Sequence, residues 1–205
     1  MTETMKLFYT PGVCSLAPHI ALREAGATFE LARVDLRSKK TADGDDFAQL
    51  NPKSYVPALL LSDGALLTET AVLLNYIADT WPEAKLAPPR GNLVRVRFDE
   101  WLQFIATELH KGFAPFTLMP NVSEESKRWA AQRLASRVTL LAEALADRPF
   151  LHGDAFTILD AYAYFALRTY RHLLRVELPG ALGAYVERLS ARPAVRAALT
   201  AEGIP

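Results

Sequence analysis

The feature that most constrains this sequence is a strand-to-helix junction near its start. Met5-Lys6-Leu7-Phe8-Tyr9 is a short apolar run of strand character, and Leu16, Ala17, Ile20 and Ala21 then recur at helical spacing. Pro11 and Gly12 break the chain between the two, so Cys14 and Ser15 fall where the helix should begin. Pro18 fits that placement, because the first helical turn can spare an N–H. Gly26 is a suitable left-handed cap, and Phe29-Glu30-Leu31-Ala32-Arg33-Val34 reads as a second strand. Two strands joined through a helix make a parallel βαβ unit with a right-handed crossover.

A thiol at this junction faces the N–H groups of the first helical turn and the positive end of the helix dipole, both of which favour its anion. The same N–H groups can hold the sulfur of a bound thiol instead. A lone cysteine is otherwise a small buried hydrophobe; the strand–Pro-Gly–Cys–helix context points to chemistry. Cys14 is the only cysteine, so no internal disulfide can form, and a reducing cytoplasm is the expected setting.

Further on, the basic Arg37-Ser38-Lys39-Lys40 precedes the acidic Asp43-Gly44-Asp45-Asp46. Such runs are solvated loop, or a clamp for the carboxylate of a small anionic ligand. Asn51-Pro52-Lys53-Ser54-Tyr55-Val56-Pro57-Ala58 leads into Leu59-Leu60-Leu61, Ser62-Asp63-Gly64 turns, and Ala65-Leu66-Leu67 returns as a hairpin. Pro57 is allowed at the head of a strand, with either a trans or a cis bond to Val56. Thr68 suits an N-cap for a helix carrying Val72, Leu73, Tyr76 and Ile77 on one face. The Thr70 N–H would then point at any nearby anion; Glu69 and Thr70 are either capping residues alone or part of a binding site.

The order strand, helix, strand, short helix, hairpin, helix is that of a thioredoxin-like α/β domain, with one thiol where a redox protein carries two. Trp81 to Gly91 is a Pro-rich linker, and everything beyond it has helical patterning. The expected division is an α/β domain over 1–82, a linker over 83–91 and an all-α domain over 92–205.

In the helical half, a long helix is expected from about Leu93 to Lys111, with Trp101, Leu102, Ile105 and Leu109 as its apolar stripe. Asp99, Gln103, Thr107 and His110 run along a second, polar face. His110 titrates in the physiological range, and near a helix end it is either a charge partner or a proton carrier. Ser123 opens the next helix, with Leu134, Val138, Leu141 and Leu145 facing inward. Thr157-Ile158-Leu159-Asp160 is a capping box with Phe156 as staple, a structural device. Tyr162, Tyr164, Phe165 and Tyr170 on its helix are read mainly as core.

Lys plus Arg and Asp plus Glu each number 23, which speaks against a general nucleic-acid or anionic-membrane binder. Met1-Thr2-Glu3-Thr4 is no signal peptide, and no apolar run approaches membrane-spanning length. Zinc spacings, phosphate loops and serine-hydrolase motifs are absent from the sequence, so neither a metal nor a resident cofactor is expected.

Tyr-Thr-Pro-Gly-Val-Cys-Ser-Leu-Ala-Pro-His, Asn-Pro-Lys-Ser-Tyr-Val-Pro-Ala-Leu and Leu-Thr-Glu-Thr-Ala-Val-Leu stand in that order. With Glu100 to Lys111, Thr157-Ile158-Leu159-Asp160 and Arg192-Pro193-Ala194-Val195, they resemble a cytosolic glutathione transferase of the bacterial beta class over nearly the whole chain. The resemblance implies a glutathione site. Val56 would pair its backbone with the cysteinyl part of glutathione, across a cis bond to Pro57. Glu69 and Thr70 would hold the γ-glutamyl amine and carboxylate, Lys39 the glycine carboxylate, and Cys14 would stand beside the glutathione sulfur. Residues matching Gln103, Thr107, Glu108, Leu109 and His110 lie at bound glutathione in relatives, many of which carry Asn where Gln103 stands. Relatives often have an aromatic where Thr169 stands.

The implied function is nucleophilic attack by the glutathione thiolate on a hydrophobic electrophile, or reduction of organic peroxides and mixed disulfides, with Cys14 and His110 as catalytic candidates. Glutathione would be the co-substrate, and a homodimer the assembly. Two rivals are a glutathione-dependent isomerase of a small unsaturated acid and a non-catalytic carrier of glutathione and hydrophobic ligands.

Overall fold

Strand β1 (Met5–Tyr9) lies at the centre of a mixed five-stranded sheet in the computed structural model, which describes residues 4–205; the order across the sheet is Lys40–Thr41 (β3), Phe29–Asp35 (β2), β1, Ala58–Leu60 (β4), Leu66–Thr68 (β5). The expectation for Met1-Thr2-Glu3 lies outside the described residues. β1 pairs in parallel with β2 (Phe29–Asp35), Leu7 opposite Leu31, with helix α1 (Leu16–Glu24) as the crossover. On its other side β1 pairs antiparallel with β4 (Ala58–Leu60), which returns as β5 (Leu66–Thr68). The expected βαβ unit and hairpin both form. Alternation along β1 sends Phe8 into a cluster with Val34, Phe47, Val56 and Ala58, and the Phe8 and Phe47 rings lie 5.3 Å apart. Phe47 opens the short helix α2 (Phe47–Leu50), which Asp46 caps by accepting from the Ala48 N–H.

Three local expectations are corrected. Lys40 and Thr41 form a short edge strand, β3, antiparallel to β2, where the sequence reads only as loop. Thr68 ends β5 and does not cap a helix; helix α3 (Thr70–Thr80) starts one residue later, with Glu69 at its N-cap position. The buried face of α3 is Leu73, Leu74 and Ile77, while Val72 is exposed and Tyr76 half-buried, because the line that meets the core runs Thr70, Leu73, Leu74, Ile77 and Ala78 at i, i+3, i+4, i+7 and i+8.

The packing divides the chain into two units: residues up to Ala87 together with Pro193–Pro205, and Pro88–Arg192. This differs from the expected all-α domain over 92–205, because Pro193–Pro205 belongs to the first unit. Helix α9 (Pro193–Glu202) packs on α1 and buries Val195, Ala198 and Leu199 in the first unit. Its last residue, Glu202, is buried and carries a polar connection. Its carboxylate accepts from the Gly12 N–H at 2.9 Å and from His19 Nδ1 at 2.8 Å. Arg23 Nε donates to His19 Nε2 at 2.9 Å, so Nε2 is the acceptor and Nδ1 carries the ring proton. Charge on Glu202 and Arg23 is thus balanced through a neutral ring.

In the second unit, α4 (Leu93–Phe104) starts from an Asn92 cap that accepts from the Arg95 N–H. Its buried line is Phe98, Leu102, Ile105 and Leu109; Trp101, expected there, is only partly covered. The long helix is not uniform. Ile105–His110 widens into a π-helical turn, and a 3₁₀ turn, Lys111–Phe113, leads into α5 (Ala114–Thr117). Turns of this kind inside a helix concentrate at functional positions. Gly112 follows because a Cβ there would meet Leu134 at 2.8 Å.

Helix α6 (Glu124–Leu145) buries Leu134, Val138, Leu141 and Leu145, as its spacing predicts. The capping box forms at the start of α7 (Ile158–Leu174), and Tyr162, Tyr164, Phe165 and Tyr170 are all core. Asp160 accepts four hydrogen bonds: from the N–H groups of Leu151 and Thr157, the Thr157 hydroxyl, and the hydroxyl of Tyr185 on α8 (Leu182–Ser190). No helix of the described residues is long and apolar enough to cross a membrane.

Candidate functional site

Cys14 sits just before α1, nearly buried, in the turn between β1 and that helix. Gly12 makes the turn possible by adopting φ +73°, a region open to glycine. Two anchors fix the turn. The Ser15 hydroxyl donates to the Thr10 carbonyl and accepts from the Thr10 N–H, and the Gly12 N–H is held by Glu202. Two of the N–H groups expected to face the sulfur are already paired. The Leu16 and Ala17 N–H groups donate to the carbonyls of Val13 and Cys14. The Cys14 thiol donates to the carbonyl of Val56 at 3.4 Å, the contact a protonated thiol makes.

Val56 is delivered there by the turn that starts at Asn51. Buried Asn51 donates from its amide to the Tyr55 carbonyl and accepts from the Lys53 N–H, which stiffens the turn from within. The Val56–Pro57 peptide bond is cis. Lys39, itself at φ +58°, reaches the same turn and donates its ammonium to the Ser54 carbonyl at 2.9 Å. Lys39, Cys14, Val56 and Pro57 are therefore brought together on one stretch of backbone.

Glu69 adjoins that turn through side-chain contacts, and Thr70 follows it at the start of α3. The Glu69 carboxylate accepts from Lys53 Nζ at 3.2 Å and from the Tyr55 hydroxyl in a short hydrogen bond. Lys53 Nζ also donates to the Thr68 hydroxyl at 2.8 Å. The Glu69 hydrogen bond is the leading cause that raises both the Lys53 ammonium and the Tyr55 hydroxyl above their ordinary pKa values. Tyr55 therefore stays a donor. Glu69 occupies φ +73°, ψ 120°, a conformation that costs a non-glycine residue on the order of 1–3 kcal/mol and that the surrounding structure must impose. Residues held this way cluster at ligand sites. Thr70, buried, opens an eleven-residue helix whose first N–H groups have no intrahelical partners.

The second unit holds the other sequence candidates on and after the α4 stripe. Gln103 is exposed, and its carbonyl accepts from the Thr107 hydroxyl at 2.9 Å. The Glu108 carboxylate accepts from Arg133 and Arg137 of α6, at 2.7 and 2.9 Å. The hydrogen bond from Arg137, followed by the charge of Arg133, holds it below the usual carboxylate range. Leu109 has its side chain in the core, so it can offer a ligand only backbone. His110 Nδ1 shares a hydrogen bond with the Tyr162 hydroxyl at 2.8 Å, and the Phe165 ring stands edge-on 5.2 Å away. This fixes the imidazole and engages Nδ1.

Three residues at the first-unit site carry no role in the sequence reading: Asn51, Lys53 and Tyr55. Their signal was present in the Asn-Pro-Lys-Ser-Tyr-Val-Pro run, but only the fold shows that the run closes on Glu69.

The Glutathione S-transferase, N-terminal domain model matches residues 3–79, and the Glutathione S-transferase, C-terminal domain model matches residues 104–193. Glutathione S-transferase GstA of Escherichia coli O157:H7 is 45% identical over 202 residues, covering 98% of this chain and 100% of that one. A sphingomonad glutathione S-transferase complexed with glutathione superposes with a TM-score of 0.90 at 45% identity, covering 98% of this chain and 100% of that one. A bacterial beta class glutathione S-transferase of Sphingomonas chungbukensis superposes with a TM-score of 0.91 at 43% identity, with the same coverage.

Proposed function

The chain belongs to the glutathione S-transferase family, and from that premise we propose a glutathione transferase whose first unit binds glutathione and presents its sulfur at Cys14. The observation that carries this reading is the 3.4 Å contact between the Cys14 thiol and the Val56 carbonyl. A peptide laid along the Val56 backbone brings its own cysteine to that sulfur. In this reading Glu69 takes the γ-glutamyl ammonium, the start of α3 takes its carboxylate, and Lys39 takes the glycine carboxylate. Each pairing is a charge-assisted contact of the strong kind. Glutathione is the co-substrate, no resident cofactor takes part, and the partners are a hydrophobic electrophile and a second copy of the chain, in the cytoplasm.

Two chemistries open from this placement. Conjugation needs the glutathione thiolate stabilised and held against an electrophile. Reduction of a mixed disulfide needs Cys14 itself. Its thiolate attacks the glutathionyl sulfur of R–S–S–G, the Cys14–glutathione disulfide forms and RS⁻ leaves; a second glutathione thiolate then releases oxidised glutathione and restores Cys14. Proposed roles for Gln103, Thr107, Glu108, Leu109 and His110 rest on the family resemblance. For Glu108 such a role competes with Arg133 and Arg137, and for Leu109 it is confined to the backbone.

The test is turnover with glutathione on aryl halides, organic hydroperoxides and mixed disulfides. Turnover on at least one class is expected. Retention on immobilised glutathione with no turnover on any would leave a carrier in place of an enzyme.

A further inference from the structure

Glu69 presents a puzzle if its task is to receive an ammonium, because it already holds one. Lys53 Nζ stands 3.2 Å from Glu69 Oε1, and that same oxygen accepts from the Tyr55 hydroxyl. An arriving γ-glutamyl ammonium would meet a like charge within a few ångströms. Two ammonium groups that close on one carboxylate repel, so the arriving one either shares Glu69 with Lys53 at a cost or displaces it.

We infer that Lys53 is a positioning residue of the γ-glutamyl site, a built-in ammonium that keeps Glu69 oriented until the ligand's ammonium takes its place. The inference rests on the reading of Glu69 given above. Three features favour exchange over a fixed pair. Lys53 and Glu69 side chains are 51% and 46% exposed, so the bond between them is weak and easily released. Lys53 has a second acceptor, the Thr68 hydroxyl at 2.8 Å, and so keeps an anchor when it leaves Glu69. Tyr55, a neutral donor, repels no incoming cation and can remain on the carboxylate throughout. The strained backbone of Glu69 supplies the other half of the device, since φ +73° fixes where the side chain starts while Lys53 fixes where it ends.

The lysine is thus a competitor for the ligand's amine. Calorimetric titration of the full chain and of Lys53→Met tests this with two probes: glutathione, and its analogue with γ-glutaryl in place of γ-glutamyl, which lacks the amine. Removal of Lys53 should widen the preference for glutathione over the analogue by about two- to fivefold, the range an exposed ion pair supports. The widening should come from tighter glutathione binding, with the analogue unchanged. A preference that stays the same or narrows in Lys53→Met overturns the exchange. Glu69→Gln in the same assay tests the underlying reading separately. If that variant keeps the parent's preference for the amine, Glu69 is not its partner, whatever Lys53 does.

Discussion

Asp160 and Glu69 both sit in the first turn of a helix or at its cap, and the two carboxylates are served in opposite ways. Asp160 is fully buried and accepts from two backbone N–H groups and two hydroxyls. Burial pushes its carboxyl up while those four hydrogen bonds pull it down. All four donors are neutral and held by the second unit's core, and none can leave without unfolding something. Glu69 is half-exposed and accepts from a flexible ammonium and one tyrosine hydroxyl. A carboxylate that serves the fold is saturated by fixed neutral donors. In the proposed reading, Glu69 serves a ligand and is held in shape by partners that the ligand can displace.

The largest effect should come from breaking the saturated one. Asp160→Ala leaves several buried donors unpaired, at about 1–3 kcal/mol each, so a loss of at least about 3 kcal/mol is expected in denaturant titration. A loss under about 1 kcal/mol would erase the contrast. Glu69→Ala sharpens it from the other side. Glutathione affinity should fall by about 1.5–3 kcal/mol, as for a charge-assisted hydrogen bond, while stability stays within about 0.5 kcal/mol of the parent. If stability falls and affinity holds, the two carboxylates do the same job.

Glu108 lies between these cases, ionised and gripped by Arg137 and Arg133. Its folded-state pKa is lowered, first by the Arg137 hydrogen bond. The stabilisation is therefore complete above its ordinary value of 4.5 and is lost as pH falls through the lower folded value. The smallest effect is expected here. Glu108→Gln should cost at most about 1 kcal/mol at neutral pH, and parent and variant should converge in acid. A gap that grows on acidification would show that the pair does not work through charge.

The sequence was most legible where local chemistry and tertiary structure agree. The βα junction with its Pro-Gly break, the hairpin, the buried stripe of α6 and the Thr157–Asp160 box are all local patterns, and all form. What stayed hidden came from distance. Nothing near Glu202 announces that it will cross 183 residues of chain to His19, so the sequence alone groups α9 with its neighbours in the chain. Likewise Lys53 reads as a surface lysine until the Asn51 turn carries it to Glu69, 16 residues away. The π turn at Ile105–His110 has no compositional marker, since its residues fit an α-helix equally well. At the thiol, the helix start was legible, but the sulfur's acceptor belongs to Val56, 42 residues on.

That sulfur is the place to test whether this site handles glutathione by its thiol. An ionised Cys14 within a few ångströms of a glutathione thiolate would disfavour joint ionisation. Cys14 is therefore suited to disulfide exchange more than to activating glutathione for conjugation. The decisive measurement is the intact mass of the chain after exposure to oxidised glutathione, for the parent and for Cys14→Ala. One glutathionyl group should appear on the parent, disappear on reduction, and never form on Cys14→Ala. Cys14→Ala should also keep much of any conjugating activity while losing most disulfide reduction. A parent that takes up no glutathionyl group would contradict the placement of the glutathione sulfur at Cys14.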